Sequence, residues 1–274
     1  EHRQHGRGHR PEAAVTDAEH ELYPRRAPYP AVRAQEPQIS DAAVGGLLIP
    51  AHGFVSAVDL TRALSAAARR HGARVVEQGR VRRITQTADG LLVEMDHGLL
   101  SGDAVVLAAG SWTGTIEVSG VPVRVPVMPI RGQLLQLDWS GPPLQRVIWG
   151  EQCYVVPWAT HTVLVGATAE DVGFDERTTV AGVRDLIDRA GALVPNIWTA
   201  GFVGARAGLR PKSPDEVPVI GASSVIPSLI YATGHYRNGI LLAPLTAQLV
   251  AGLLLDNVAD PLLRLTSPQR FGEL

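Results

Sequence analysis

The stretch at 234–255, GHYRNGILLAPLTAQLVAGLLL, constrains the fold more than any other part of the chain. From Ile240 onward it is apolar on every side of a helix, so it reads as a core helix that other elements must surround. It is shorter than a bilayer span and contains Pro244 and Gln248, so no membrane span is expected. Yet His235, Tyr236, Arg237 and Asn238 stand at its N-terminal end. A helix start offers free N–H groups and the positive end of the dipole, and polar residues gathered there suit a ligand.

The rest of the chain alternates in character. Residues 1–20 hold four of the nine histidines among Arg and Gly, without apolar period, and read as a disordered tail. His2, His5 and His9 are spaced for a metal on a helix, but Gly6 and Gly8 break any helix and a solvated tail is the simpler reading. Residues 21–50 are Pro-rich and irregular. The run VSAVDLTRALSAAARRHGA then predicts a helix capped by Ser56 or Asp59, with Leu60, Ala63, Leu64 and Ala67 on one face and Gly72 at its end. A short strand ARVVE, a hairpin turning at Ala88-Asp89-Gly90 and a buried strand DAVVLAAG follow. Between 120 and 170 four strand-like runs predict an antiparallel sheet, and Val180–Leu193 predicts a helix. WTAGFVGARAGLRP leads back to α/β style through PVIGAS and LIYATG. The expected fold is α/β, a Rossmann-type domain interrupted by an antiparallel sheet. The expected segments are 51–115 and 207–274 for the interrupted domain and 116–206 for the insertion, with 21–50 as a remnant of the latter.

Several chemistries are disfavoured. A net charge of -2 gives no field for nucleic acid. Cys153 has no second cysteine to pair with, so an oxidising compartment is not implied, and a cytoplasmic location is expected. The polar, basic start carries no apolar leader core. AAGSWTG lacks the glycines of a nucleophile elbow, since Ala109 and Thr113 hold their places around Ser111. There is no H-E-x-x-H and no G-x-x-x-x-G-K-[ST], and no metal site is expected. The arginines are more informative. Arg210, in AGLRP, and Arg237 both lie in Gly/Pro-flanked turns between apolar segments, where a bidentate grip on a carboxylate competes with the ordinary surface ion pair. Tyr154, in CYVVP, is by itself a core or interface tyrosine.

Taken in order, AAGSWTG, PIRGQ, CYVVP, VGAT, AGLRPKSPDEVPVIG and GHYRNGILLAP resemble the FAD-dependent amine and D-amino-acid oxidases, nearest to the glycine oxidases of thiamine biosynthesis. The resemblance runs from about 47 to 255. It implies FAD as cofactor, hydride transfer from an amino-acid α-carbon to flavin N5, and reoxidation by oxygen to hydrogen peroxide. Arg210 would clamp the substrate carboxylate, with Arg237 a second arginine beside it and Tyr154 in the pocket. His235, Tyr236, Arg237, Asn238, Gly239, Ile240 and Leu241 would wrap the flavin ring, and Val81 would touch the adenine side. Free N–H groups of Asn238, Gly239 and Ile240 would stabilise the charge that hydride transfer leaves on the ring.

The family's G-x-G-x-x-G turn, which holds the FAD pyrophosphate, is not in this sequence; GRGHRP in the tail lacks the third glycine. The resemblance therefore implies the C-terminal two-thirds of a flavoenzyme that binds FAD poorly by itself. Its partners would be a small amino acid or amine, oxygen, and either a second copy or a complementing N-terminal polypeptide. A truncated, non-enzymatic relative and an amino-acid dehydrogenase are the alternatives.

Overall fold

The computed structural model describes residues 24–274 except Thr160, Asn257 and Ala259. The expected tail at 1–20, with His2, His5 and His9, lies outside the described residues. β1 (Arg25–Pro28) pairs with β2 (Gly45–Leu48) around α1 (Tyr29–Gln35), and α2 is Ala57–Arg70. β3 (Val81–Thr87) and β4 (Gly90–Met95) form the expected hairpin, with Thr87 facing Gly90. β5 (Gly98–Gly102) extends it. β6 (Val105–Leu107) departs, and β7 (Glu117–Val118) returns to pair parallel with β3. β8 (Met128–Asp138), β9 (Ile148–Trp149), β10 (Tyr154–Ala159) and β11 (Thr162–Gly166) precede α3 (Val180–Leu193). They join β12 (Gly201–Lys212) in an antiparallel sheet of order β12-β8-β11-β10-β9. β13 (Val219–Ala222), β14 (Leu229–Thr233), α4 (Gly239–Ala251) and α5 (Leu263–Thr266) close the chain, and β14 lies between β13 and the parallel β6.

The five-stranded sheet is finished. Along β8 the odd-numbered residues alternate inward, as a half-buried strand requires. Leu135 and Leu137 meet Val155, Val163 and Val165 from neighbouring strands and Leu186 and Ala190 from α3. Further along the same face the inward residues become Gln133 and Arg131, so the hydrophobic core grades into a buried polar cluster. Gln133 ties α3 to the sheet. Its Oε1 accepts from the Thr179 amide at 2.8 Å, and Thr179 Oγ1 caps the helix by accepting from the Gly182 amide at 3.1 Å. A second core joins Ile84 and Leu91 of the hairpin sheet to Leu229 and Tyr231 of β14 and the C-terminal Leu274.

Four expected elements bury little of their apolar surface or differ in form from the expectation. α2 has its Ser56 cap, Ser56 Oγ accepting from the Asp59 amide at 3.3 Å, yet buries no residue, and Leu64 is 58% exposed. ARVVE is not a strand: Val75 and Val76 are exposed on irregular backbone, without a paired neighbour among the described residues. DAVVLAAG is extended only over Val105–Leu107, with Val106 exposed and no strand on the far edge of β6 among those described. The apolar helix behaves the same way. It begins one residue early, at Gly239, and turns π-helical over Gly252–Asp256; α4 buries only Leu249, and Leu241 is 77% exposed. The continuous Gly239–Asp256 helix is thus long and apolar enough to cross a membrane, by length and composition alone. WTAGFVGARAGLRP also differs from expectation: Gly201–Lys212 is the edge strand of the antiparallel sheet, running across the boundary expected at 206/207.

Candidate active site

β12 brings Arg210 opposite Ile130 of β8, and β10 begins at Tyr154, opposite both Gly166 of β11 and Trp149 of β9. Two glycines make room for these side chains. A Cβ on Gly132 would overlap the Arg210 guanidinium, and one on Gly166 would overlap the Tyr154 ring. Arg210 therefore lies flat across the β8 backbone, and Tyr154 across β11. PIRGQ and VGAT thereby acquire a physical role beyond marking a family.

Arg210 Nη1 donates to the Thr168 carbonyl at 2.9 Å. No carboxylate pairs with it among the described residues. Burial lowers its pKa and so leaves a poorly hydrated cation facing the pocket. Burial raises the Tyr154 hydroxyl, against the pull of Arg210, Arg206 and Arg237, so the phenol stays protonated and able to donate. Its ring tilts against Trp149, 4.8 Å between centroids.

Behind Thr168 lies the polar end of the core. Thr168 Oγ1 accepts from the Gln133 amide at 2.9 Å and donates to Glu170. Glu170 also accepts from Gln133 Nε2 at 2.8 Å and from Arg131 Nη2 at 2.6 Å. Burial alone would raise the Glu170 carboxyl, but these hydrogen bonds outweigh it and hold the pKa below its ordinary value. Arg131 pairs with Glu170 and Asp175 through its two Nη groups, whereas Arg210 pairs with no carboxylate among the described residues.

The loop before α4 approaches the same place. Tyr236 takes a left-handed backbone, φ 48°, and its amide donates to the Pro211 carbonyl at 2.8 Å. The Arg237 guanidinium lies 5.3 Å from the Tyr236 ring centre. Burial lowers the pKa of His235, whose Nε2 lies 2.9 Å from Thr246 Oγ1. A cavity of about 590 Å³ is lined by Trp149, Tyr154, Arg189, Arg210, Tyr236 and Arg237, among others.

The structure therefore brings together Arg210, Arg237, Tyr154 and Tyr236 of the residues expected from sequence. His235, Asn238, Gly239, Ile240 and Leu241 adjoin the cavity along the chain without lining it. Val81 lies elsewhere, in β3, paired with Met95 and packed on the second core. Sequence reasoning missed Trp149 and Arg189. Arg189 carries no local signal, because an arginine on an amphipathic helix looks like a solvated one.

The sequence matches the family described as FAD dependent oxidoreductase over residues 5–253. The chain belongs to that family. The match reaches further toward the N-terminus than the expected start near 47 and takes in most of the presumed tail. The chain is 37% identical over 221 residues to the glycine oxidase of Geobacillus kaustophilus, covering 80% of this chain and 58% of that protein. It is also 37% identical over 238 residues to the bifunctional protein ThiO/ThiG of Nostoc sp., covering 85% of this chain and 35% of that protein. The crystal structure of the Geobacillus kaustophilus glycine oxidase aligns with a TM-score of 0.85 at 32% identity, over 93% of this chain and 73% of that one. The chain thus spans 35% and 58% of the lengths of these two curated relatives.

The cofactor of this family is FAD, and the start of α4 fits the ring of such a group. The amides of Gly239, Ile240 and Leu241 have no acceptor among the described residues; the first intrahelical bond runs from the Leu242 amide to Asn238. A Cβ on Gly239 would find only His235 Cβ, at 3.7 Å, so the approach is open. Ile240 is bare beside it and offers an apolar surface to a planar ring.

Proposed function

We propose that this chain supplies the substrate-binding and ring-facing parts of an FAD-dependent oxidase of glycine or another small amino acid or secondary amine, in the manner of the glycine oxidases and of thiamine biosynthesis. One observation carries the reading: a half-buried arginine without a carboxylate partner, laid across Gly132, opens into the same cavity as a protonated tyrosine and the loop that leads into a free helix start. FAD, when bound, would supply the hydride acceptor and the route of the electrons to oxygen, with hydrogen peroxide as the product. Arg210 binds the substrate carboxylate, and Thr168 holds Arg210 by its carbonyl. Tyr154 donates a hydrogen bond from its hydroxyl to that carboxylate, and Arg237 adds positive potential at the loop. The amides of Gly239, Ile240 and Leu241, free at the helix start, are the groups that would hold the electron-rich edge of the ring. His235 acts from beside the site, on the cofactor rather than the substrate, and Val81, away from the cavity in β3, is assigned to the adenine side of the cofactor. In this reading 116–206 is mainly the substrate unit, and 51–115 with 207–274 the flavin unit of a cytoplasmic enzyme. The bare face of α2, β6 and α4 then meets an N-terminal polypeptide that brings the pyrophosphate turn.

The test is peroxide release from FAD-loaded protein given glycine, sarcosine or D-alanine. Expected is release with at least one of them and its loss in Arg210→Met. A full flavin complement with no peroxide rejects the oxidase reading. Amine-dependent flavin reduction without peroxide would point to the dehydrogenase instead. A second reading, a chain without independent FAD binding, is favoured by the lack of a G-x-G-x-x-G turn in the sequence. The flavin absorption of the purified chain separates the two, and a stoichiometric yellow protein would sink the second.

A further inference from the structure

The cavity holds more positive charge than a single carboxylate needs. Arg189, Arg210 and Arg237 all line it, and Glu151 is the one carboxylate among its lining residues. No ion pair with Arg189, Arg210 or Arg237 exists among the described residues, although ten other cations there are paired. Arg189 also approaches from a different element. It projects from α3, between the buried Leu186 and Ala190 and the cavity, whereas Arg210 rides on β12 and Arg237 on the loop before α4. The positive charge of the cavity thus comes from three separate elements of the fold. A half-buried guanidinium without a partner gains most from a carboxylate that reaches it.

We propose that Arg189 forms a second anion subsite, so that the cavity takes small amines carrying two carboxylates. The inference rests on the proposed function, in which Arg210 binds the first carboxylate. Arg189 is a specificity-determining residue: it holds the second acid and takes no part in the hydride step. Glu151 faces the same space and opposes a second anion, so the preference is set by Arg189 prevailing over it.

The test is calorimetric binding of butyrate and succinate, equal in length and differing by one carboxylate, to the whole chain. Succinate is expected to bind about tenfold tighter or more, the effect of one added charge-assisted pair. In Arg189→Gln the ratio should fall to about two, and Arg189→Lys should keep most of it, since a point charge survives. A wild-type ratio below about two, including no measurable succinate binding, overturns the proposal, as does a ratio that Arg189→Gln leaves intact. Should the Gln variant fail to fold, Arg189→Met with an unchanged circular dichroism spectrum serves instead, and a ratio it leaves intact overturns the proposal equally. Arg210→Met separates the two levels of inference. Butyrate binding that survives this change rejects the carboxylate clamp and the second subsite with it. Butyrate binding that it abolishes, beside a wild-type protein indifferent to the second carboxylate, rejects the subsite alone.

Discussion

The five-stranded sheet with α3 and the three-stranded sheet with α4 obey the same local rules and meet different surroundings. In the first, Leu135, Val155, Val165 and Leu186 are fully enclosed by strands and helix from the same chain. In the second, α4 buries one residue, α2 none, and β6 has no strand on its far edge among the described residues. The elements of the second unit form all the same, because caps and helical period are local properties. What they lack is the stabilisation of burial, about 1.5–3 kcal/mol for each large apolar side chain left in water. A pattern in sequence specifies an element, and a covering surface must exist before that element becomes core. The candidate site sits where the two regions meet: Arg210 and Tyr154 come from the finished sheet, and Tyr236 and Arg237 from the unfinished side.

The comparison breaks most readily in the finished core. Leu135→Ala should lower stability by about 2–5 kcal/mol, measured by urea unfolding, because its enclosed site cannot collapse. A loss under about 1 kcal/mol would show the sheet to be as loose as its neighbour. Next come the glycines under the site. Gly132→Ala should weaken butyrate binding about tenfold or more by pushing Arg210 off the β8 backbone, with unchanged affinity as the contrary result. Gly166→Ala should act likewise through Tyr154.

The acid limb of stability sharpens the contrast between the regions. Glu170 beneath the site is held below its ordinary 4.5, and Asp215, hydrogen-bonded to Arg270, below its ordinary 3.8. A depressed folded-state pKa means that the unfolded chain binds protons first, so this stability is present above about 4.5 and is lost as pH falls through the folded values. His235, also depressed, withdraws its share as pH falls below its ordinary 6.5. Thermal midpoints against pH should therefore fall from about 6.5 downward and steepen below 4.5. Glu170→Gln should flatten the lower part, and a profile unchanged in that variant would remove Glu170 from the account. The smallest effect belongs to the bare face. Leu64→Ala on α2 should cost about 0.5 kcal/mol or less while lowering the binding of a hydrophobic dye. A cost like that of Leu135→Ala would mean that α2 is covered in solution.

How much of this was legible beforehand follows from the range of each signal. Val180–Leu193 and the hairpin at 81–95 were readable because period, cap and turn lie within a few residues. The loop before α4 was readable because charge at the start of an apolar helix is unusual at any position. ARVVE was misread because a strand needs a neighbour, and sequence cannot show whether one is present. Gly132 and Gly166 could be quoted in motifs but not explained, since their crowding comes from Arg210 and Tyr154 through cross-strand register. Arg189 was invisible for the same reason: only the fold turns that face of α3 toward the cavity.

The most direct test of the central claim, that Arg210 grips the carboxylate of an amine beside a flavin, is anaerobic mixing of FAD-loaded protein with glycine, sarcosine or D-alanine. Bleaching of the oxidised flavin band is expected in the wild type, slowed about 10²–10³-fold in Arg210→Met, the cost of removing one partner of a desolvated charge pair. A fully flavinated protein that none of the three amines reduces, or equal rates in wild type and Arg210→Met, would contradict the account.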